Sequence, residues 1–272
     1  MPEDERGDRV AVRGMQVHPG GAVRRVYVHG VIIALAMSRR LAGGLRGKTN
    51  QGEVMTRLVV DISVSLDGFV AGPNQTLEDP LGENGEMLHD WVIATKQFSD
   101  AHGREGGETG VDNDVGAEHL AGKGATIMGR HMFSGGQGPW ENDPNATGWW
   151  GDDPPFHHPV FVLTQHAREP VEMEGGTTFH FVTDGIESAL EQARAAAGDQ
   201  DVAVAGGGQA ISQYLKAGLV DEMQLHVVPI FLGAGARLFD GHGATAPENL
   251  ALKRVVESPT GVVHLKYELA SR

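Results

Sequence analysis

The sequence predicts an α/β protein of three αβα layers, with helices on both faces of a mixed, mostly parallel sheet and an antiparallel hairpin at its C-terminal end. Three observations carry this expectation. Short apolar runs alternate with segments whose apolar residues recur at helical spacing. Residues 202–223 read as a buried strand (Val202 to Ala205), a Gly206-Gly207-Gly208 turn and a helix from Gln209. Its Ile211, Tyr214 and Leu215 share one face, and Gly218 stops it. The last two apolar runs, 252–257 and 262–269, flank Ser258-Pro259-Thr260-Gly261, which has Pro and Gly where a type I turn wants them.

Composition narrows the class of partner. The chain has 272 residues, and 40% of them are hydrophobic, enough for a real core. With 36 acidic against 22 basic residues the net charge is −14, which argues against nucleic acid or an anionic membrane surface. The expected partners are a small-molecule substrate and a second copy of the chain. The absence of cysteine removes disulfides, thiolate metal sites and cysteine nucleophiles, and fits a reducing cytoplasm. The longest strongly apolar run, 31–37, is far short of the roughly 20 residues that span a bilayer.

Residues 1–54 are rich in Arg and Gly and lack a sustained period except around 26–41. Arg24 and Arg25 precede that window as in a targeting signal, but Arg39 and Arg40 follow it and no small-residue cleavage site is clear. This segment is expected to be a poorly ordered leader, because Met55-Thr56-Arg57 runs directly into a strand as a natural N-terminus would. The domain proper then covers 55–272.

Within the domain, 58–64 is a buried first strand that turns at Asp67-Gly68, and the Pro-, Asn- and Gly-rich stretch 73–85 is a mobile loop. Residues 87–98 read as one amphipathic helix with Leu88, Trp91, Val92 and Thr95 on one side. The glycine-rich acidic stretch 103–116 reads as a surface excursion. A short strand at 125–128 leads into a turn at Gly129-Arg130-His131, and 135–159 is a long loop holding three tryptophans and the Pro-flanked His157 and His158. Further strands follow at 160–163, 178–182, 202–205 and 222–228. Asp184 with Glu187 resembles a capping box for a helix to Ala197, and 229–235 is a second glycine-rich loop.

Three strand ends therefore carry polar or glycine-rich turns: Gly129-Arg130-His131, Leu163-Thr164-Gln165-His166 and Gly206-Gly207-Gly208-Gln209. In an open α/β sheet, ligands bind outside the carboxyl ends of the strands, so one extended ligand can meet all three. A glycine turn before a helix lets phosphates approach backbone N–H groups at the helix's positive end. Arg130 and Thr164 suit an adenosine 2′-phosphate, with Arg168 or His166 adding charge, which favours NADPH over NADH.

Met128-Gly129-Arg130-His131, Leu163-Thr164 and Ala205-Gly206-Gly207-Gly208-Gln209 resemble the three cofactor-binding motifs of dihydrofolate reductases. Ser65-Leu66-Asp67-Gly68, with Pro229-Ile230-Phe231-Leu232-Gly233-Ala234-Gly235, is more similar to the reductase domain of the bacterial bifunctional riboflavin deaminase-reductase. The resemblance spans about 55–269. It implies a dihydrofolate-reductase-like fold, NADPH as cofactor and a homodimer. The riboflavin reductases carry a lysine six residues before the Asp of Ser-Leu-Asp-Gly; here Asp61 stands there, and with no cysteine in the sequence the zinc-binding motifs of a deaminase domain are not expected.

A hydride transfer needs the nicotinamide held against an electrophilic C=N or C=O, and a proton source. Asp67 and Asp90 are the candidate catalytic carboxylates, and Trp91 and Phe69 the candidate substrate contacts, with Trp91 also a core candidate. No further carboxylate or His stands at ligand spacing from His157 and His158, so no metal is expected. The sequence thus points to an NADPH-dependent reductase of a pterin-like or pyrimidine-like heterocycle. The alternatives are a riboflavin-pathway 5-amino-6-(5-phosphoribosylamino)uracil reductase and a non-catalytic nucleotide-binding module.

Overall fold

The computed structural model of the protein describes residues 56–136, 138–143, 145–241 and 250–269. The leader expected at 1–54 lies outside the described residues.

A nine-stranded sheet organises the domain. Its parallel part is built from β1 (Leu58–Ser65), β3 (Lys123–Gly129), β4 (Pro159–Leu163), β6 (Thr178–Val182), β7 (Asp201–Gly206) and β8 (Glu222–Val228). At one edge β5 (Val171–Glu172) runs antiparallel to β6. At the other, the hairpin of β10 (Leu250–Glu257) and β11 (Val263–Leu269) docks antiparallel on β8, giving the order β10-β11-β8-β1-β7-β3-β4-β6-β5. The predicted class, parallel centre and terminal hairpin are therefore all present. Two short strands that sequence reading passed over, β2 (Phe69–Ala71) and β9 (Ala236–Arg237), pair with each other beside the sheet.

Strand alternation sorts side chains to two faces. Leu58, Val60 and Val64 of β1, Ile127 of β3 and Val204 of β7 meet Ala189, Leu190 and Ala193 of α5 (Ile186–Ala197) and Ile211 and Tyr214 of α6 (Gly208–Ala217) in the main core. The opposite face is covered in two patches. One is aromatic, formed by Phe133, Trp150, Phe156 and Phe179 with Met128, Val160 and Val162. The other joins Leu88, Trp91, Val115, Val228 and Val262. Gly218 ends α6 in the left-handed conformation, φ 68°, as its position after an amphipathic pattern predicts.

Three local expectations are corrected. The segment 87–98 is not one helix: a 3₁₀ turn (Gly85–His89) and α1 (Asp90–Ile93) stop at Thr95, which is extended and caps α2 (Lys96–Ala101) by accepting a hydrogen bond from Phe98 N–H. A β-branched hydroxyl residue gains more as a cap than as a helix interior. Part of 103–116, expected as a surface excursion, belongs to a helix, α3 (Val111–Leu120), whose Val115 is buried. Its first turn carries Asp112 and Asp114, which suit a helix N-terminus better than a loop. The capping box of Asp184 and Glu187 does not form: Gly185 is the N-cap of α5, with no side-chain cap.

Candidate functional site

A cleft of about 1400 Å³ crosses the sheet and gathers the three strand-end turns. In sheet order it meets Leu163 and Thr164 at β4, Gly129, Arg130 and His131 at the junction of β3 with α4 (Arg130–Ser134), and Gly206, Gly207, Gly208 and Gln209 between β7 and α6. It then reaches Asp61 and Ser63 on β1 and His226 on β8, with Trp91 over them. All nine residues assigned to cofactor contact line this one cleft.

The glycine turn is built for close approach. Gly206 has φ 141°, outside the range of ordinary side chains, and a Cβ on Gly208 would stand 2.8 Å from Val70 Cγ2. A Cβ on Gly207 would meet nothing within 4 Å, so this backbone faces open space. The N-terminus of α6 has no side-chain cap and no acidic residue in its first turn, which leaves its N–H groups and positive dipole end for an anion. Both ring nitrogens of His131 are buried without a hydrogen-bond partner, and burial pushes its pKa down. Unpaired buried polar atoms beside an open backbone turn are what a polar ligand would satisfy. The residues present therefore fit a dinucleotide.

Arg130 is not a solvated surface arginine. It is 7% exposed, forms an ion pair with Asp143 at 2.5 Å and donates to Ser134 Oγ, and its guanidinium lies over the Trp140 ring, 3.4 Å from the centroid. Burial lowers its pKa, which Asp143 partly offsets. Burial pushes the Asp143 carboxyl up, but Ser134, the Asn145 N–H and Arg130 together hold it below the ordinary range. Arg168 approaches the same Trp140 ring at 4.6 Å, so two cations share one aromatic ring. The Thr164 hydroxyl accepts from His166 N–H at 3.1 Å.

The remaining candidates separate. Trp91 lines the cleft and also packs in the core, donating its indole N–H to Ser63 Oγ at 3.0 Å. Asp67, Asp90 and Phe69 do not line it. The Asp67 carboxylate accepts from Ser65 Oγ at 2.6 Å, Leu232 N–H at 3.2 Å and Gly233 N–H at 2.7 Å, fastening the 229–235 loop. The Ser65 hydroxyl and these amides hold its pKa down. Asp90 is exposed at the start of α1, and Phe69 is buried beneath the Arg237 guanidinium at 4.2 Å.

Sequence reading missed the polar floor of the cleft. Asp61 Oδ1 meets His226 Nε2 at 2.5 Å, His226 Nδ1 meets His264 Nδ1 at 2.7 Å, and His264 Nε2 meets Asp112 Oδ1 at 2.9 Å. His89 faces this group, and burial, with His226 adding to it, pushes its pKa down to about 4. A signal was available: Asp61, Ser63 and Ser65, and Gln224 and His226, are polar at every second position of otherwise apolar strands. Among the described residues no group of three or more His, Asp or Glu is arranged to hold a metal, and no helix is long and apolar enough to cross a membrane.

The model of the RibD C-terminal domain family matches residues 56–264. The uncharacterized protein YyaP of Bacillus subtilis strain 168 is 28% identical over 194 residues, 67% of this chain and 80% of its own length. A candidate riboflavin biosynthesis protein from Shewanella sp. PV-4 superposes with a TM-score of 0.53 at 20% identity, covering 78% of this chain and 98% of that one, a likeness of fold.

Proposed function

The chain belongs to the RibD C-terminal domain family, and on that premise we propose that it is an NADPH-dependent reductase of a small pterin-like or pyrimidine-like heterocycle. The observation that carries the reading is the convergence of the three strand-end turns on one cleft, with the open Gly207 backbone and the uncapped α6 terminus at its middle. Bound there, the reduced nicotinamide would supply a hydride to a C=N or C=O. The chain's own residues bind, orient and exclude water. Gly206 to Gln209 take the pyrophosphate, while Leu163, Thr164 and the Arg130–Trp140–Arg168 cluster take the adenosine end. Asp61, Ser63, His89 and Trp91 border the space left for the heterocycle.

The second reading is a riboflavin-pathway 5-amino-6-(5-phosphoribosylamino)uracil reductase, favoured by the Ser65-Leu66-Asp67-Gly68 motif and its contact with the 229–235 loop. The Asp61 carboxylate inside the cleft counts against a phosphorylated substrate, since like charges in a partly buried site repel strongly. A homodimer is part of the proposal. Leu252 and Val255, half exposed on edge strand β10, and Phe231, 77% exposed in the 229–235 loop, offer apolar surface for a two-fold contact.

Titration with NADPH, followed by a screen of dihydropterins and aminopyrimidines for substrate-dependent loss of reduced-nicotinamide absorbance, tests the reading. Turnover of an unphosphorylated heterocycle supports it. Absence of NADPH binding overturns both reductase readings, and binding with no turnover across the screen leaves the non-catalytic module.

A further inference from the structure

We propose that Asp61, His226, His264 and Asp112 form a proton relay that ends in the cleft at Asp61 and serves the reacting heterocycle there. Its catalytic use rests on the reductase reading; the relay itself rests on geometry. Four titratable side chains from β1, β8, β11 and α3 form one continuous line, with contacts of 2.5, 2.7 and 2.9 Å. The rings are nearly closed to solvent and the ends less so. The imidazoles of His226 and His264 are 2% and 1% exposed, whereas the carboxylates of Asp61 and Asp112 are 10% and 12% exposed. Asp61 opens on the cleft. Asp112 meets the hydroxyl of the exposed Thr260 at 3.0 Å.

Proton counting gives the line its character. Each of its three contacts needs one proton between its two heavy atoms. Two neutral imidazoles supply two, so the third is an additional proton held by the group as a whole, which then carries a net charge of −1. When that proton sits on Asp112, His264 holds its proton on Nδ1 and His226 on Nε2. If each proton crosses its own hydrogen bond toward Asp61, Asp112 becomes a carboxylate, both rings remain neutral in the opposite tautomer and Asp61 becomes a carboxylic acid. One net proton has then moved from the protein's outer side to the cleft, with no imidazolium or imidazolate at either end state. As C=N accepts a hydride at carbon, Asp61 gives its proton to nitrogen, leaving CH–NH and an oxidised nicotinamide. Electrons and protons balance.

The surroundings suit a guarded relay. Trp91 covers both rings, with centroid distances of 4.4 Å to His226 and 4.9 Å to His264, and is itself pinned to Ser63. His89 faces His226 as a neutral ring. Charged groups within electrostatic reach of Asp61 include Glu118, Arg254 and Lys123. Arg254 is tied to Glu118 through two contacts of 2.8 and 2.6 Å, so their charges largely cancel.

The test is NMR of the full-length chain labelled with ¹⁵N-histidine, through pH titrations of the wild type, Asp112→Asn and Asp61→Asn. The relay requires a through-bond coupling between the Nδ1 atoms of His226 and His264. It also requires Asp112→Asn to move the ring signals of His226, which does not touch Asp112, and Asp61→Asn to move those of His264. If each substitution moves only its immediate neighbour, the relay is overturned. Should a variant fail to fold, the wild type still decides: one shared protonation step supports the relay, and two independent ring titrations refute it. A parallel NADPH titration separates the claims. Coupled rings without NADPH binding keep the relay and sink the reductase reading; NADPH binding with uncoupled rings does the reverse.

Discussion

The guanidinium of Arg130 is clamped between the carboxylate of Asp143, 2.5 Å away, and the face of Trp140, whose centroid is 3.4 Å from it. With both partners of the ion pair under a tenth exposed, the cost of losing one exceeds the gain of forming the pair. Asp143→Ala strands a buried cation and is expected to destabilise the fold by about 3–5 kcal/mol in denaturant unfolding. A loss under about 1 kcal/mol would mean that solvent reaches Arg130.

The same arginine carries the proposed preference for NADPH. Arg130→Ala should weaken NADPH more than NADH, because only the former has a 2′-phosphate to lose a partner. Equal weakening in paired titrations would assign Arg130 to Asp143 and Trp140 alone.

Asp67 fastens a loop. Asp67→Asn keeps the shape and weakens three accepted hydrogen bonds, so hydrogen exchange at the Leu232 and Gly233 amides should accelerate while NADPH affinity stays unchanged. If instead those amides remain protected and turnover disappears, Asp67 belongs to the chemistry.

Acid stability follows from two histidines, His89 and His158. Burial pushes both His89 and His158 from 6.5 down to about 4; His226 adds to the shift at His89 and His157 at His158. The unfolded chain therefore binds more protons between about pH 4 and 6.5. Stability is complete above 6.5 and falls as pH drops, by up to about 1.4 kcal/mol per unit for each group. His158→Gln, which keeps a hydrogen-bonding partner for the Thr126 hydroxyl now 2.8 Å from Nε2, should flatten the unfolding free energy between pH 6.5 and 4.5. An unchanged slope would place the acid sensitivity elsewhere.

Much of this was legible in the chain because the informative signals are local. The apolar run at 202–205, three glycines and a helical face at Ile211 and Tyr214 sit side by side, and the strand, turn and helix formed as read. The α3 helix was obscured by its own composition, since glycine and acidic residues mark loops until a tertiary partner such as the pocket around Val115 selects the helix. The relay was hidden by distance along the chain: Asp61 and His226 are 165 residues apart, and His264 and Asp112 are 152 apart. The strand order β11-β8-β1 brings Asp61, His226 and His264 together and the packing of α3 adds Asp112, and a list of local motifs contains neither. Asp67 misled for the opposite reason. Its neighbourhood in sequence is that of a motif, while its carboxylate is used up by the 229–235 loop.

The central claim, that the α6 terminus holds the cofactor's pyrophosphate, is tested most directly by Gln209→Glu. Gln209 is exposed in the first turn of α6 and lines the cleft. A carboxylate there favours the helix by about 0.3–1 kcal/mol through its dipole, yet repels a bound phosphate. Calorimetric titration of NADPH into the variant, beside its thermal unfolding, should show affinity reduced at least tenfold with the unfolding temperature unchanged or raised. NADPH affinity equal to that of the wild type, in a variant of undiminished stability, would contradict the account.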